Sequence, residues 1–185
     1  DSGLGRIGFC PSPQAVEEIQ AICALPHVDV EGVFSHFASA DLKDKTFALQ
    51  QFDTFMGFLD ELEKAGVHFR IRHMANSAAV LDLPQTYLDL IRPGFNFTGR
   101  YPSADVRHDE LLLRPTLSLK AIITYMKEVE PGTPVSYGSL WVAQRKSKIA
   151  TVQLGYGDGY FRRYREKANA LVCGKRVPIC GAICM

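Results

Sequence analysis

Between residues 12 and 94, short β-prone runs and helical stripes follow one another in alternation, and this restricts the fold more than any other feature of the chain. Ser12 offers an N-cap hydroxyl and Pro13 a first helical position that needs no N–H. Val16, Ile19 and Ile22 then recur at helical spacing, so a helix is expected to about Leu25. Val28 to Phe37 is rich in Val and Phe and reads as a buried strand ending at His36. From Asp44 to Ala65 the residues Ala48, Phe52, Phe55, Leu59 and Leu62 step by four and three, the stripe of a long amphipathic helix closed by Gly66. Val67 to Met74 reads as another strand, Asn76 as the start of a short helix, and Tyr87 to Ile91 as a strand entering Arg92-Pro93-Gly94. Such alternation predicts βαβ units and a parallel sheet, with His36, Asn76, Ser77 and Arg92 where strands end. In α/β barrels that edge carries the chemistry.

Beyond about Tyr101 the pattern changes. Leu117 to Val129, Ile149 to Leu154 and Ala170 to Met185 are β-prone and separated by Pro-Gly and Gly-rich turns, so a second, β-rich domain is expected from Leu111. The charge cluster Arg162 to Lys167 reads as a solvated turn. With 21 basic and 20 acidic residues and a net charge of +1, no long-range field draws the chain to nucleic acid or an anionic membrane. A small-molecule partner is expected instead. Five cysteines lie in unpaired positions without a CxxC, which speaks against metal binding and fits a reducing cytoplasm better than a disulfide scaffold. No apolar run reaches the roughly 20 residues of a membrane span. The chain opens at Asp1 without a methionine and stops at Met185 within an apolar run, and is expected to be an internal fragment.

Seven short motifs stand in order along the chain: Asp1-Ser2-Gly3-Leu4-Gly5-Arg6-Ile7-Gly8-Phe9, Gly32-Val33-Phe34-Ser35-His36-Phe37-Ala38, Ala75-Asn76-Ser77-Ala78, Ile91-Arg92-Pro93-Gly94, Val135-Ser136-Tyr137-Gly138, Gly155-Tyr156-Gly157-Asp158-Gly159-Tyr160 and Ile183-Cys184-Met185. Taken singly, each admits a plainer reading: Tyr137 a packing residue in a turn, His36 a structural histidine, Arg92 a salt-bridge partner, Asn76-Ser77 an N-cap. Taken together, they resemble the bacterial alanine racemases, pyridoxal-phosphate enzymes of fold type III. The resemblance implies an eight-stranded α/β barrel followed by a β domain. Residues 1–110 would be the later part of that barrel and 111–185 the start of the β domain. It implies racemisation of L-alanine to D-alanine for peptidoglycan, in a head-to-tail homodimer with shared active sites.

The resemblance also assigns residues. Tyr137 is implied as one of two acid/base groups, because racemisation removes a proton from one face of Cα and returns it to the other. A phenol works as a base at neutral pH only beside a group that stabilises its anion, and His36 is the implied neighbour. Arg92 is implied to face the pyridine nitrogen of pyridoxal 5'-phosphate. Because arginine keeps its proton, that nitrogen would stay unprotonated and the ring would be a weaker electron sink. Ser77, with the backbone at Asn76, Gly94 and Phe95, is implied to hold the cofactor phosphate. Arg6 is implied to lie near the cofactor phenolic oxygen and the substrate carboxylate, and Tyr156 and Met185 to narrow the substrate entrance. The chain departs from the family pattern at Phe97-Thr98-Gly99, where a tyrosine is common, and at Ala182, where an arginine is. The cofactor-anchoring lysine is expected upstream of Asp1, so this stretch alone is expected to be inactive.

Two other readings compete. A racemase of serine or another small amino acid differs by a methyl or hydroxyl, worth only a few kcal/mol, roughly, in discrimination. A non-catalytic pyridoxal-phosphate-binding barrel protein would lack the β domain and its Ser136-Tyr137-Gly138. Decarboxylases of the same fold usually hold phosphate through glycine-rich segments, which Asn76-Ser77 does not resemble.

Overall fold

Helix α1 (Pro13–Cys23) starts where Ser12 and Pro13 predict: the Ser12 hydroxyl accepts the Ala15 N–H at 3.1 Å in the computed structural model, which describes residues 1–165 and 167–185. The helix stops two residues short of Leu25, with Ala24 as its C-cap. Two units partition the chain, Asp1–Leu117 and Ser118–Met185.

In the first unit a parallel three-stranded sheet runs in the order β1 (Gly32–Phe34), β2 (Ile71–Asn76), β3 (Leu90–Arg92). Helix α2 (Thr46–Lys64) joins β1 to β2, and the short α3 (Ser77–Asp82) leads from β2 towards β3. Helix α2 buries Ala48, Gln51, Phe55, Phe58, Leu59 and Leu62, with Phe52 only partly covered. The expected stripe is therefore right in period but turned slightly, and it admits one polar residue. Leu62 of α2 and Met74 of β2 are fully buried in the apolar core of this unit, where each such side chain contributes about 1.5–3 kcal/mol.

The strands are shorter than the apolar runs that predict them. Val28 and Phe34 are exposed, and β1 keeps only the three residues that find partners on β2. The second strand starts at Ile71 rather than Val67. Tyr87 caps the 3₁₀ turn Pro84–Thr86, and Leu88 and Asp89 form a turn, Leu88 at φ +52, before β3 begins at Leu90. Between β2 and β3 the register shifts: His73 pairs with Leu90, whereas Asn76 pairs with Arg92, so three steps on one strand match two on the other. Asp82, at the end of α3, is buried between Lys45, 2.5 Å away, and Arg107, whose backbone N–H it accepts at 2.9 Å.

The second unit is built of antiparallel pairs: β4 (Ile123–Val129) with β7 (Ser147–Val152), β5 (Pro134–Val135) with β6 (Trp141–Val142), and β8 (Asn169–Val172) with β9 (Lys175–Pro178). The β-rich expectation holds, but residues 117–122 and 179–185 are not strands. Val129, Ala143 and Ile183 are its buried apolar residues, while Tyr125 and Met126 of β4 stay exposed. Of the expected turn at Arg162–Lys167, Glu166 lies outside the described residues, and Arg162–Tyr164 forms a single 3₁₀ turn.

Candidate active site

All three parallel strands of the first unit end on the same edge, and the residues that follow them meet there. Arg92, the last residue of β3, reaches across the sheet. Its Nη2 donates to the carbonyls of Ser35 at 2.9 Å and Met74 at 3.3 Å and to His36 Nδ1 at 3.1 Å; Nη1 donates to His73 Nδ1 at 2.5 Å. The Phe34 ring lies 5.3 Å from the guanidinium carbon and stacks on His73 at 5.2 Å. Arginine only donates, so both Nδ1 atoms must accept, and both imidazoles are neutral with their proton on Nε2. The electrostatics agree. Burial, then the charges of Arg92 and Arg6, holds His36 below the ordinary histidine range; burial, then Arg92, does the same to His73. Arg92 is itself pushed down by burial and then by Arg6. Its Nε–H has no hydrogen-bond partner among the described residues.

Arg6 reaches this edge through the opening segment. Asp1 folds back to accept the N–H groups of Gly3 and Leu4, and the Ser2 and Ser35 hydroxyls are 2.6 Å apart, which ties the segment to the end of β1. Arg6 is exposed and close enough for its charge to act on both His36 and Arg92.

At the end of β2, Asn76 caps α3 by accepting the Ala79 N–H at 3.1 Å, and the Ser77 hydroxyl accepts the Phe95 N–H at 2.8 Å. His36, Asn76, Ser77, Arg92 and Gly94 line one open cleft of about 430 Å³, a size ordinary for a small-molecule site. A Cβ at Gly94 would meet nothing within 4 Å, so its backbone is open to approach. The Gly94 N–H donates to the Arg92 carbonyl at 2.9 Å and the Phe95 N–H to Ser77, so a bound anion would take these donors over; with the Ser77 hydroxyl and an arginine with a spare donor, the set fits a phosphate and a basic ring nitrogen. A second depression of about 500 Å³, at Ser12, Glu17 and Glu61, presents carboxylates and is unsuited to an anion.

The remaining expected residues lie in the second unit and also converge. Ser136 Oγ donates to the Ala182 carbonyl at 2.8 Å, Tyr156 N–H to the Cys184 carbonyl at 2.9 Å, and Gly157 N–H to the Met185 carbonyl at 2.8 Å. The segment 181–185 is thus held between the Tyr137 turn and the 155–159 turn. Gly155 must be glycine, since a Cβ would stand 2.2 Å from the Cys184 oxygen. Tyr137 and Met185 are 73% and 79% exposed.

Sequence reasoning missed two residues. From the sequence His73 reads only as part of a strand, although a histidine in register with Phe34 faces the same neighbours as the strand-end groups. Gln51 is 1% exposed on the apolar stripe of α2; its Oε1 accepts the Ala38 N–H at 2.9 Å and its Nε2 donates to the His36 carbonyl at 3.3 Å. A lone amide on a helix stripe was the signal for it. Among the described residues no cluster of His, Cys, Asp and Glu could hold a metal, and no helix is long and apolar enough to cross a membrane.

Comparison with known proteins matches residues 1–102 to the family model described as alanine racemase, N-terminal domain, and residues 116–185 to the model described as alanine racemase, C-terminal domain. The chain is 48% identical over 185 residues to an alanine racemase of Desulforamulus reducens and 43% identical to one of Methanococcus maripaludis, covering all of this chain and 50% and 49% of theirs. It therefore spans about half the length of the curated relatives it matches. Among solved structures it resembles an alanine racemase of Clostridium difficile 630 with a TM-score of 0.90 at 42% identity, and one from Bacillus anthracis with bound L-Ala-P with a TM-score of 0.84 at 35%. Each alignment covers all of this chain and 48% of the other.

Proposed function

The chain belongs to the alanine racemase family, and from that premise we propose that the protein containing it interconverts L- and D-alanine with pyridoxal 5'-phosphate. The observation that carries this reading is the convergence of His36, Asn76, Ser77, Arg92 and Gly94 on one cleft at the C-terminal edge of the parallel sheet. On this reading residues 1–110 belong to the later part of an α/β barrel and residues 111–185 to the β domain. The protein works in the cytoplasm as a head-to-tail homodimer, for which five free cysteines suit a reducing compartment.

The chemistry such a cofactor supplies when bound is acceptance of electrons from a Cα deprotonated beside it. The Ser77 hydroxyl and the N–H groups of Asn76, Gly94 and Phe95 would hold its phosphate, the Gly94 and Phe95 N–H groups exchanging their intramolecular acceptors for the anion. Arg92 donates its free Nε–H to the ring nitrogen and keeps its own proton, so that nitrogen remains an acceptor. An acceptor left unprotonated there would limit side reactions and favour simple return of the proton to Cα. Arg6 takes the substrate carboxylate. The partner subunit's Tyr137 removes or returns the α-proton on one face, a lysine beyond these residues serving the other, and His36 fixes that phenol through its Nε2–H. Tyr156 and Met185 narrow the entrance to a side chain of alanine's size.

The test uses the full-length protein with added cofactor and L-alanine in heavy water, followed by proton NMR and chiral analysis. Loss of the α-proton signal together with formation of D-alanine is expected. Exchange without D-alanine would remove Tyr137 as a second base, and no exchange would overturn the reading. Tyr137→Phe should keep the cofactor and slow turnover by about 10²- to 10⁴-fold, chiefly from L to D.

A further inference from the structure

Ser136 sits at φ +69 and ψ 179, backbone space that glycine occupies freely and other residues enter only when their surroundings force them to. Its surroundings are specific. The Ser136 hydroxyl donates to the Ala182 carbonyl at 2.8 Å and lies 3.6 Å from Cys184 Sγ. Gly181 makes the approach possible: at φ +70, a Cβ there would fall 2.7 Å from Ser136 Cβ and 2.8 Å from the Val135 oxygen.

The next residue is Tyr137, whose hydroxyl has no hydrogen-bond partner among the described residues and whose side chain is largely in solvent. The backbone on either side therefore sets the Cα–Cβ direction along which the phenol leaves the chain. On the far side Gly138 and Ser139 also have positive φ, and the Ser139 N–H returns to the Ser136 carbonyl at 3.3 Å. The whole turn thus hangs on the conformation of residue 136. We propose that Ser136 is a positioning residue for Tyr137: its hydroxyl, clamped to the Ala182 carbonyl, locks the strained backbone that aims the phenol. This rests on the reading of Tyr137 as a base.

Ser136→Gly separates the tether from the strain, because glycine adopts the same φ and ψ without cost but carries no hydroxyl. The experiment uses the full-length holoenzyme with Ser136→Gly, Tyr137→Phe and the double substitution, measuring kcat and KM in both directions and cofactor occupancy by absorbance. Ser136→Gly should lower kcat from L-alanine by about 10- to 100-fold with KM and occupancy unchanged, the effect of a misaimed group. On the Tyr137→Phe background it should cost nothing further. A wild-type kcat in Ser136→Gly, an equal loss on both backgrounds, or a fall in occupancy matching the loss of rate overturns the positioning role while Tyr137→Phe stays impaired. Tyr137→Phe at wild-type rate would instead bring down the reading of Tyr137, and this proposal with it.

Discussion

The two units hold their functional residues by different means. In the first, side chains do the holding: Arg92 reaches two carbonyls and two imidazoles with its terminal nitrogens, and Gln51 pins the backbone on both sides of Phe37. In the second, Tyr137, Tyr156 and Met185 are carried by main-chain turns held together by main-chain hydrogen bonds and by the Ser136 hydroxyl, with the Tyr137 and Met185 side chains largely in solvent. Side-chain networks can relax when one member changes, because the others shift rotamer. Interlocked backbones cannot, so small changes there should cost more.

Gly155→Ala is the sharpest way to break that contrast. One added methyl would meet the Cys184 and Met185 backbone at 2.2–2.4 Å, with no flexible side chain to yield. A loss of more than about 3 kcal/mol is expected in urea unfolding of the full-length protein, and a loss below about 1 kcal/mol would show that the second unit relaxes as readily as the first. Gln51→Leu, at a fully buried site, should cost about 1–3 kcal/mol by leaving the Ala38 N–H and the His36 carbonyl without partners. A neutral result would mean that the network does not hold the His36 backbone.

The smallest effect is one of pH. His36 and His73 are both held below the ordinary histidine value of about 6.5 when folded. The unfolded chain then binds more protons, so their contribution to stability is complete above about pH 6.5 and is lost as pH falls through the folded values. Melting temperatures of the full-length protein should decline on acidification from that point, and His73→Asn should flatten the decline. An unaltered slope would place its origin elsewhere.

The helices were legible because their signals are local: a hydroxyl before a proline at Ser12-Pro13, and a stripe at fixed spacing from Ala48 to Leu62. The strands were legible in order but not in length, since β1 keeps only the three residues that pair with Ile71–His73 of β2, and an apolar run such as Val28–Phe37 carries no record of that. The strand-end groups His36, Asn76, Ser77 and Arg92 could be read from motif order, and they do meet. His73 and Gln51 could not, because each matters through neighbours that only the folded sheet supplies. Ser136 belongs with them. It stands in a motif read for Tyr137, and only the folded chain shows its positive φ and its hydroxyl bond to Ala182.

The irregular register between β2 and β3 bears on how such a protein can change over generations. Were the ladder regular after His73 and Leu90, Arg92 would stand opposite Ala75; the extra residue on β2 sets it opposite Asn76 instead. Deleting one residue from Ile71–Asn76 would leave the apolar content almost intact, yet it would turn every later side chain of that strand to the other face. Insertions and deletions should accordingly be tolerated in the 65–70 loop before β2 and eliminated within it and at its direct junction with α3, making this short strand a stretch whose length inheritance must keep fixed while its composition drifts.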